Sequence, residues 1–213
     1  MVKESRHKEE DMIYIEYMEH DRSIPAELIR PQKDKSGWAD DDAVSGNQPL
    51  AVLGRTLRLG PHPPFLAIWQ CRTFGCLREW ESYFKARRAL HSAASQNAIH
   101  LCQAGCYSEV FSGPPINGGI QYIEFFKHDV SSREEVVARR FTERAGRYEN
   151  GALNAVLCRM GPLGPDPGAL AIWTFPHHAD VEQIVFDRQW QQTLSIVRSG
   201  LYRKLNGELE KDP

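Results

Sequence analysis

Two short stretches of the chain place a phenol, a carboxylate and an imidazole at alternate positions. Tyr14, Glu16, Met18 and His20 form one row, and Tyr122, Glu124, Phe126 and His128 form the other. On an extended strand every second side chain points to the same face, so each row presents its polar groups together. A carboxylate or imidazole within reach of a substrate proton is a general base, a tyrosine or histidine is an acid for a leaving oxygen, and a guanidinium steadies an anion or enolate. Arg55 and Arg159 supply the guanidiniums. Such equipment suits elimination, isomerisation or retro-aldol cleavage. The plainer alternative makes Glu16 and Glu124 the ion-pair partners of Arg55 and Arg159, with the His-Asp pairs ending strands and capping the helices that follow. Packing these polar types under helices would carry a heavy desolvation cost, so the expectation is that they line an enclosed cavity.

These rows belong to a chain that is written twice. Ile13 to Asp21 (IYIEYMEHD) returns as Gln121 to Asp129 (QYIEFFKHD), with five of nine positions identical at an offset of 108 residues. Ala51 to Trp69 (AVLGRTLRLGPHPPFLAIW) returns as Ala155 to Trp173 (AVLCRMGPLGPDPGALAIW) at an offset of 104, and Tyr107 is echoed by Tyr202. Self-similarity of this kind sets the fold before any single element does. Read for alternation and helical spacing, each copy is β-α-β-β-α-β. In the second copy, IQYIEFF is a strand, Ser131 to Glu135 offers a cap for a helix carrying Val136, Val137, Phe141 and Ala145, and Ala155 to Arg159 with Ala169 to Phe175 makes a hairpin around a Gly/Pro-rich turn. A second helix is expected over Val181 to Val197, and a last short strand over Gly200 to Leu205. Copy one repeats the scheme, with Leu77, Trp80, Phe84 and Leu90 on its second helix.

The fold class is therefore α+β, two tandem ferredoxin-like units. Residues 12–111 form the first, with a loop insert at 23–49, and residues 120–205 the second, while 1–11 and 206–213 read as frayed ends. The insert is too rich in Pro, Gly and charge for a packed helix, and Trp38 gives it an apolar anchor, so it is expected to close over a ligand as a lid. Met18, Phe126, Trp69 and Trp173 are the further candidate substrate contacts, although both tryptophans suit a hydrophobic core as well. In the first strand, Ile13, Ile15 and Tyr17, with Ile123 and Phe125 in the second copy, are expected to pack beneath helices.

The order of elements, the GPLG…LAIWTF hairpin and the DRQWQQTLSIV helix resemble the NIPSNAP-type branch of the dimeric α/β-barrel superfamily over most of residues 12–205. That resemblance implies two four-stranded sheets enclosing a barrel, helices outside and a ligand within. It leaves the reaction open among isomerases, decarboxylases, dehydratases, cofactor-free monooxygenases, haem enzymes and interaction proteins. The reading adopted from the residues is a cofactor-independent lyase or isomerase acting on an aromatic, phenolic substrate, for instance with loss of a hydroxymethyl group as formaldehyde. A cofactor-free monooxygenase, a haem enzyme with His20 or His128 as axial ligand, and a non-catalytic binding protein are its rivals.

Composition narrows the partners. The 213 residues carry 26 Lys+Arg against 28 Asp+Glu, a formal charge of -2, so no basic excess is available for a phosphate backbone and no nucleic-acid partner is expected. Five cysteines without C-x-x-C spacing suit a reduced, cytoplasmic protein with small buried thiols and no metal site. His177-His178-x-Asp180 resembles a metal cluster by composition alone and is expected at a helix start, with Asp180 near the N-terminus. No export signal, membrane span, P-loop, G-x-G-x-x-G or G-x-S-x-G is found. Exposed sheet edges in ferredoxin-like units lead to the expectation of a homodimer.

Overall fold

A computed structural model describes residues 12–20, 47–57, 59–61, 63–73, 75, 77, 99–128 and 133–205. Eight strands carry the architecture: β1 (Met12–His20), β2 (Asn47–Arg55), β3 (Phe65–Cys71), β4 (Ile99–Ser112), β5 (Ile120–Phe126), β6 (Ala152–Arg159), β7 (Ala169–Phe175) and β8 (Ile196–Lys204). Three described helices accompany the second half: α1 (Glu134–Ala145) between β5 and β6, then α2 (His178–Val185) and α3 (Arg188–Thr193) between β7 and β8. None of the described helices is long and apolar enough to cross a membrane.

The strands close into one barrel in the order β1-β3-β2-β8-β5-β7-β6-β4. The first four strands run β4-β1-β3-β2 and the last four run β8-β5-β7-β6, so the two sets share one order. Two seams join them, β2 against β8 and β6 against β4. Every pairing is antiparallel, which makes β1, β2, β5 and β6 point the same way. Their C-terminal ends consequently meet at one mouth of the barrel. Closure inside a single chain leaves no free edge among the described strands, and the edge argument for a homodimer loses its premise.

The halves also agree in register. Tyr14 pairs with Trp69 and Glu16 with Ala67, as Tyr122 pairs with Trp173 and Glu124 with Ala171. At each seam the hairpin turn of one half is pressed against a glycine of the other. A Cβ on Gly60 would lie 2.9 Å from the Gly200 Cα, and one on Gly164 would lie 2.9 Å from the Gly105 Cα. One left-handed position is filled differently in the two turns: Gly161 adopts φ 57, and the residue 104 places earlier, Leu57, adopts φ 53 with a side chain. That costs about 1–2 kcal/mol, since a Cβ crowds the following carbonyl in this conformation.

Several boundaries differ from the sequence reading. Residues 47–49, expected in the insert, belong to β2, which accommodates the proline through a shift of register between Pro49 and Ala51. The helix expected over 181–197 is two short helices broken at Phe186 and Asp187, and its last residues are already strand, because β8 starts at Ile196. Helix α1 starts at Glu134 without a side-chain cap from Arg133. The expected cap at Ser131 and Ser132, the remainder of the insert with Trp38, and the copy-one helix at Trp80, Phe84 and Leu90 lie outside the described residues.

Candidate functional site

Strand parity separates the same two rows in the structure, but their faces are exchanged. Ile13, Ile15 and Tyr17 of β1 join Ala51, Leu53, Leu66, Ile68, Tyr107, Ile123, Phe125, Leu157, Leu170, Ile172 and Tyr202 in one buried cluster drawn from both halves. A cluster shared by both sheets is the barrel interior. The row expected inside instead faces outward: Tyr122, Phe126 and Trp173 pack with Phe141 and Val137 of α1, and Tyr14, Met18 and Trp69 pack with Met12, Cys71 and Cys106. The physical reason is size. The interior of an eight-stranded barrel is just wide enough to be filled by side chains, so it takes the apolar row, while the outer face carries the polar groups.

The outer face of the second sheet is a locked assembly. The Glu124 carboxylate, 0% exposed, accepts from Arg144 Nη1 at 2.7 Å and from the Trp173 indole at 3.0 Å, both on Oε2. Arg144 also donates through Nε to the Tyr148 hydroxyl at 2.9 Å, and Tyr148 donates to Asp187 at 2.9 Å. Phe126, Phe141, Tyr148 and Trp173 close around it, with ring centroids 4.9 Å apart for Phe126–Phe141 and 5.8 Å for Tyr148–Trp173. Burial raises the Glu124 carboxyl against the opposing pull of Arg144 and Trp173, and burial pushes the Tyr122 phenol up to about 12. Arg144 does not figure in the sequence reading, although it sits at i+7 from Val137 and i+3 from Phe141 on the buried stripe of α1.

The outer face of the first sheet repeats the central contact of this lock among the described residues. The Trp69 indole donates to Glu16 Oε2 at 3.1 Å, as Trp173 does to Glu124. Tyr14, Glu16 and Met18 are each half-buried, where Tyr122, Glu124 and Phe126 are fully buried. Trp69 and Cys71 beneath them are buried, so the base of this face is apolar and its centre carries a carboxylate, a phenol and an indole N–H. His20 ends the same strand, and its side chain lies outside the description.

The remaining candidates separate from these rows. Arg55 and Arg159 share the parity of interior residues, and the expected ion pairs with Glu16 and Glu124 do not form, because the carboxylates lie across the sheet. Arg55 donates to the Gly60 carbonyl at 3.0 Å, while Arg159 donates to the Gly164 carbonyl at 2.9 Å and to Asp166 at 2.8 Å. His128 is half-buried just beyond β5. At the start of α2, Asp180 accepts from the His177 backbone N–H at 3.2 Å and from Asn150 at 2.8 Å, the helix-start role expected of it. Among the described residues no group of three His, Cys, Asp or Glu side chains is placed to hold a metal ion. Cys71, Cys106 and Cys158 are buried thiols, and Cys102 is exposed.

No family model and no curated protein matches the chain. Solved structures do. A chlorite dismutase variant from Candidatus Nitrospira defluvii superposes with a TM-score of 0.61 at 11% identity, covering 92% of each chain. An anthrone oxidase-like protein gives 0.59 at 9% identity, and a haem-binding protein from Thermus thermophilus gives 0.55 at 9%, each again covering 92% of both chains. At these identities the likeness is one of fold alone. The NIPSNAP branch is not singled out.

A haem requires a flat apolar slot and an axial donor. The second face has no such slot, being filled by the aromatic rings and the Glu124–Arg144 pair. On the first face the described side chains offer the Tyr14 phenol, the Met18 thioether and the Cys106 thiol, with no described imidazole among them. These residues do not compose a haem seat.

Proposed function

We propose that the chain is a small-molecule enzyme whose site lies on the outer face of the first sheet, and that residues 12–111 and 120–205 are two copies of one unit that have diverged in role. The observation that carries this reading is the difference between equivalent positions: Glu124 is sealed by Arg144 and four aromatic rings, Trp173 among them, while Glu16, with the same indole donor, stays half-buried beside Tyr14 and Met18. One copy spends its carboxylate on holding the fold. The other holds its carboxylate half-buried.

In this reading Glu16 is the general base, Trp69 orients it through the indole hydrogen bond, Tyr14 hydrogen-bonds the substrate oxygen, and Met18 with Trp69 contacts an aromatic ring. The substrate class is a phenolic or otherwise electron-rich aromatic with an acidic proton. Loss of that proton to Glu16 leaves a carbanion that dioxygen can oxidise, one oxygen atom entering the substrate as a carbonyl and the other leaving as water. The anthrone oxidase-like neighbour favours this cofactor-free oxidation over the lyase reaction, which begins with the same proton transfer but ends in carbon–carbon cleavage. Haem chemistry is the contrasting reading, favoured by the haem-binding neighbour and opposed by the filled second face.

The test is oxygen uptake by the purified chain with anthrone as probe. Uptake that falls roughly 10²–10⁴-fold in Glu16→Gln supports the proposal. Formaldehyde released from a hydroxymethyl phenol without oxygen uptake would replace oxidation by the lyase reaction, and a Soret band in the active preparation would replace both.

A further inference from the structure

At the barrel mouth where β1, β2, β5 and β6 end, the two halves depart from one another inside the barrel, away from the face assigned above. In the first half, Tyr17 lies across from Tyr107, and their hydroxyls are 2.9 Å apart. The corresponding residues of the second half, 108 and 95 places later, are Phe125 and Tyr202. Phenylalanine has no hydroxyl to offer. Tyr202 is 0% exposed and its hydroxyl has no hydrogen-bond partner among the described residues, so a buried polar group is left over where the first half is satisfied.

A second unmatched donor lies four residues earlier on the same strand. Arg198 pairs in register with Phe125, and its guanidinium sits 5.0 Å from the centre of that ring, where the first half has the exposed Gln103 opposite Tyr17. Arg198 Nη2 donates to the Asp166 carbonyl at 3.1 Å, but its Nε is buried without a partner among the described residues. Arg55 stands opposite Tyr202 in the β2–β8 register, and Arg159 opposite Tyr107 in the β4–β6 register. The charge of Arg198 reaches all three phenols, Tyr17, Tyr107 and Tyr202. Three guanidiniums thus gather at this end against the carboxylates of Asp166 and of Glu19 at the exposed rim.

We infer that this mouth binds a small oxyanion, a carboxylate or its inorganic analogue, held by the Tyr202 hydroxyl and Arg198 Nε in the place that the Tyr17 hydroxyl fills in the first half. A hydroxyl donor and a guanidinium donor flanked by further positive charge recognise acceptor oxygens carrying negative charge, and Phe125 has no hydroxyl to answer Tyr202. The ligand stabilises the barrel by binding the folded state alone.

Thermal unfolding measured against added formate, with ionic strength held constant by a bulky sulfonate salt, tests the inference. The wild-type chain should show a saturable rise in Tm of about several degrees. Phe125→Tyr rebuilds the hydroxyl pair of the first half and should raise Tm without formate while abolishing the response. Tyr202→Phe removes the unmatched hydroxyl and should also abolish it. Arg198→Gln, which copies Gln103, should fold and lose the response. A wild-type Tm that follows formate no more than the sulfonate overturns the inference, and so does an undiminished response in Phe125→Tyr or Tyr202→Phe. Should one variant fail to fold, the wild-type titration and the other variants decide.

Discussion

Replacing either glutamate by glutamine separates the two faces. In Glu124→Gln the amide oxygen still accepts from Trp173, but the 2.7 Å contact with Arg144 loses its charge between two side chains of 0% exposure. The amide nitrogen moreover takes the place of Oε1, a buried atom with no partner among the described residues. A charge-assisted hydrogen bond is worth about 1.5–3 kcal/mol, and the guanidinium that remains is buried. At about 2–4 °C per kcal/mol for a chain of this size, the melting temperature should fall by roughly 3–12 °C. Glu16 is half-buried and keeps its Trp69 bond as glutamine, so Glu16→Gln should lower Tm by less than Glu124→Gln does. Circular dichroism melts of both variants, together with anthrone-dependent oxygen uptake below both transitions, give the comparison. The account requires a stability loss in one variant and a rate loss in the other. Equal destabilisation, or an inactive Glu124→Gln beside a fully active Glu16→Gln, would refute the division of roles.

Arg144→Met should be more damaging than Glu124→Gln, by about 3–5 kcal/mol, because it strands a buried carboxylate, and the double variant Arg144→Met with Glu124→Gln should recover part of that loss in a double-mutant cycle. Leu57→Gly should raise stability by about 1 kcal/mol in denaturant titration, since Leu57 holds φ 53 with its side chain 56% exposed and its counterpart is Gly161. Burial pushes both the Tyr122 and Tyr202 phenols up to about 12. Because the folded state then holds those protons more tightly than the unfolded chain, their contribution is complete below pH of about 10 and is lost as pH rises toward 12, so phenolate absorbance should appear together with alkaline unfolding rather than before it.

Much of the element order was legible in the chain because the matched blocks return in the same sequence. The hairpin with Ala169–Phe175 and the strand Ile120–Phe126 fall where alternation places them. Helix limits after β7 were not legible, since Val185, Trp190 and Leu194 keep helical spacing across the break at Phe186 and Asp187. The two rows of β1 and β5 were separable from period-two spacing alone, but which row faces the barrel was not. The deciding quantity is the width of a closed eight-stranded interior, which appears only once the strand order is known. Desolvation cost pointed the wrong way at Glu124 because its partner, Arg144, lies on a helix twenty residues away in a spacing that reads as apolar. Tyr17, Tyr107 and Tyr202 were hidden for the converse reason, as tyrosines within rows that otherwise pack as core.

The location of the substrate is the central claim, and a crystal structure of the chain soaked with an aromatic alcohol tests it most directly. The account predicts the ring on the outer face of the first sheet, with its oxygen within hydrogen-bond reach of Glu16 or Tyr14 and its plane against Trp69 or Met18. A ring bound over the second sheet, displacing the Glu124–Arg144 assembly, or one lodged among Ile13, Ile15 and Phe125 inside the barrel, would contradict it.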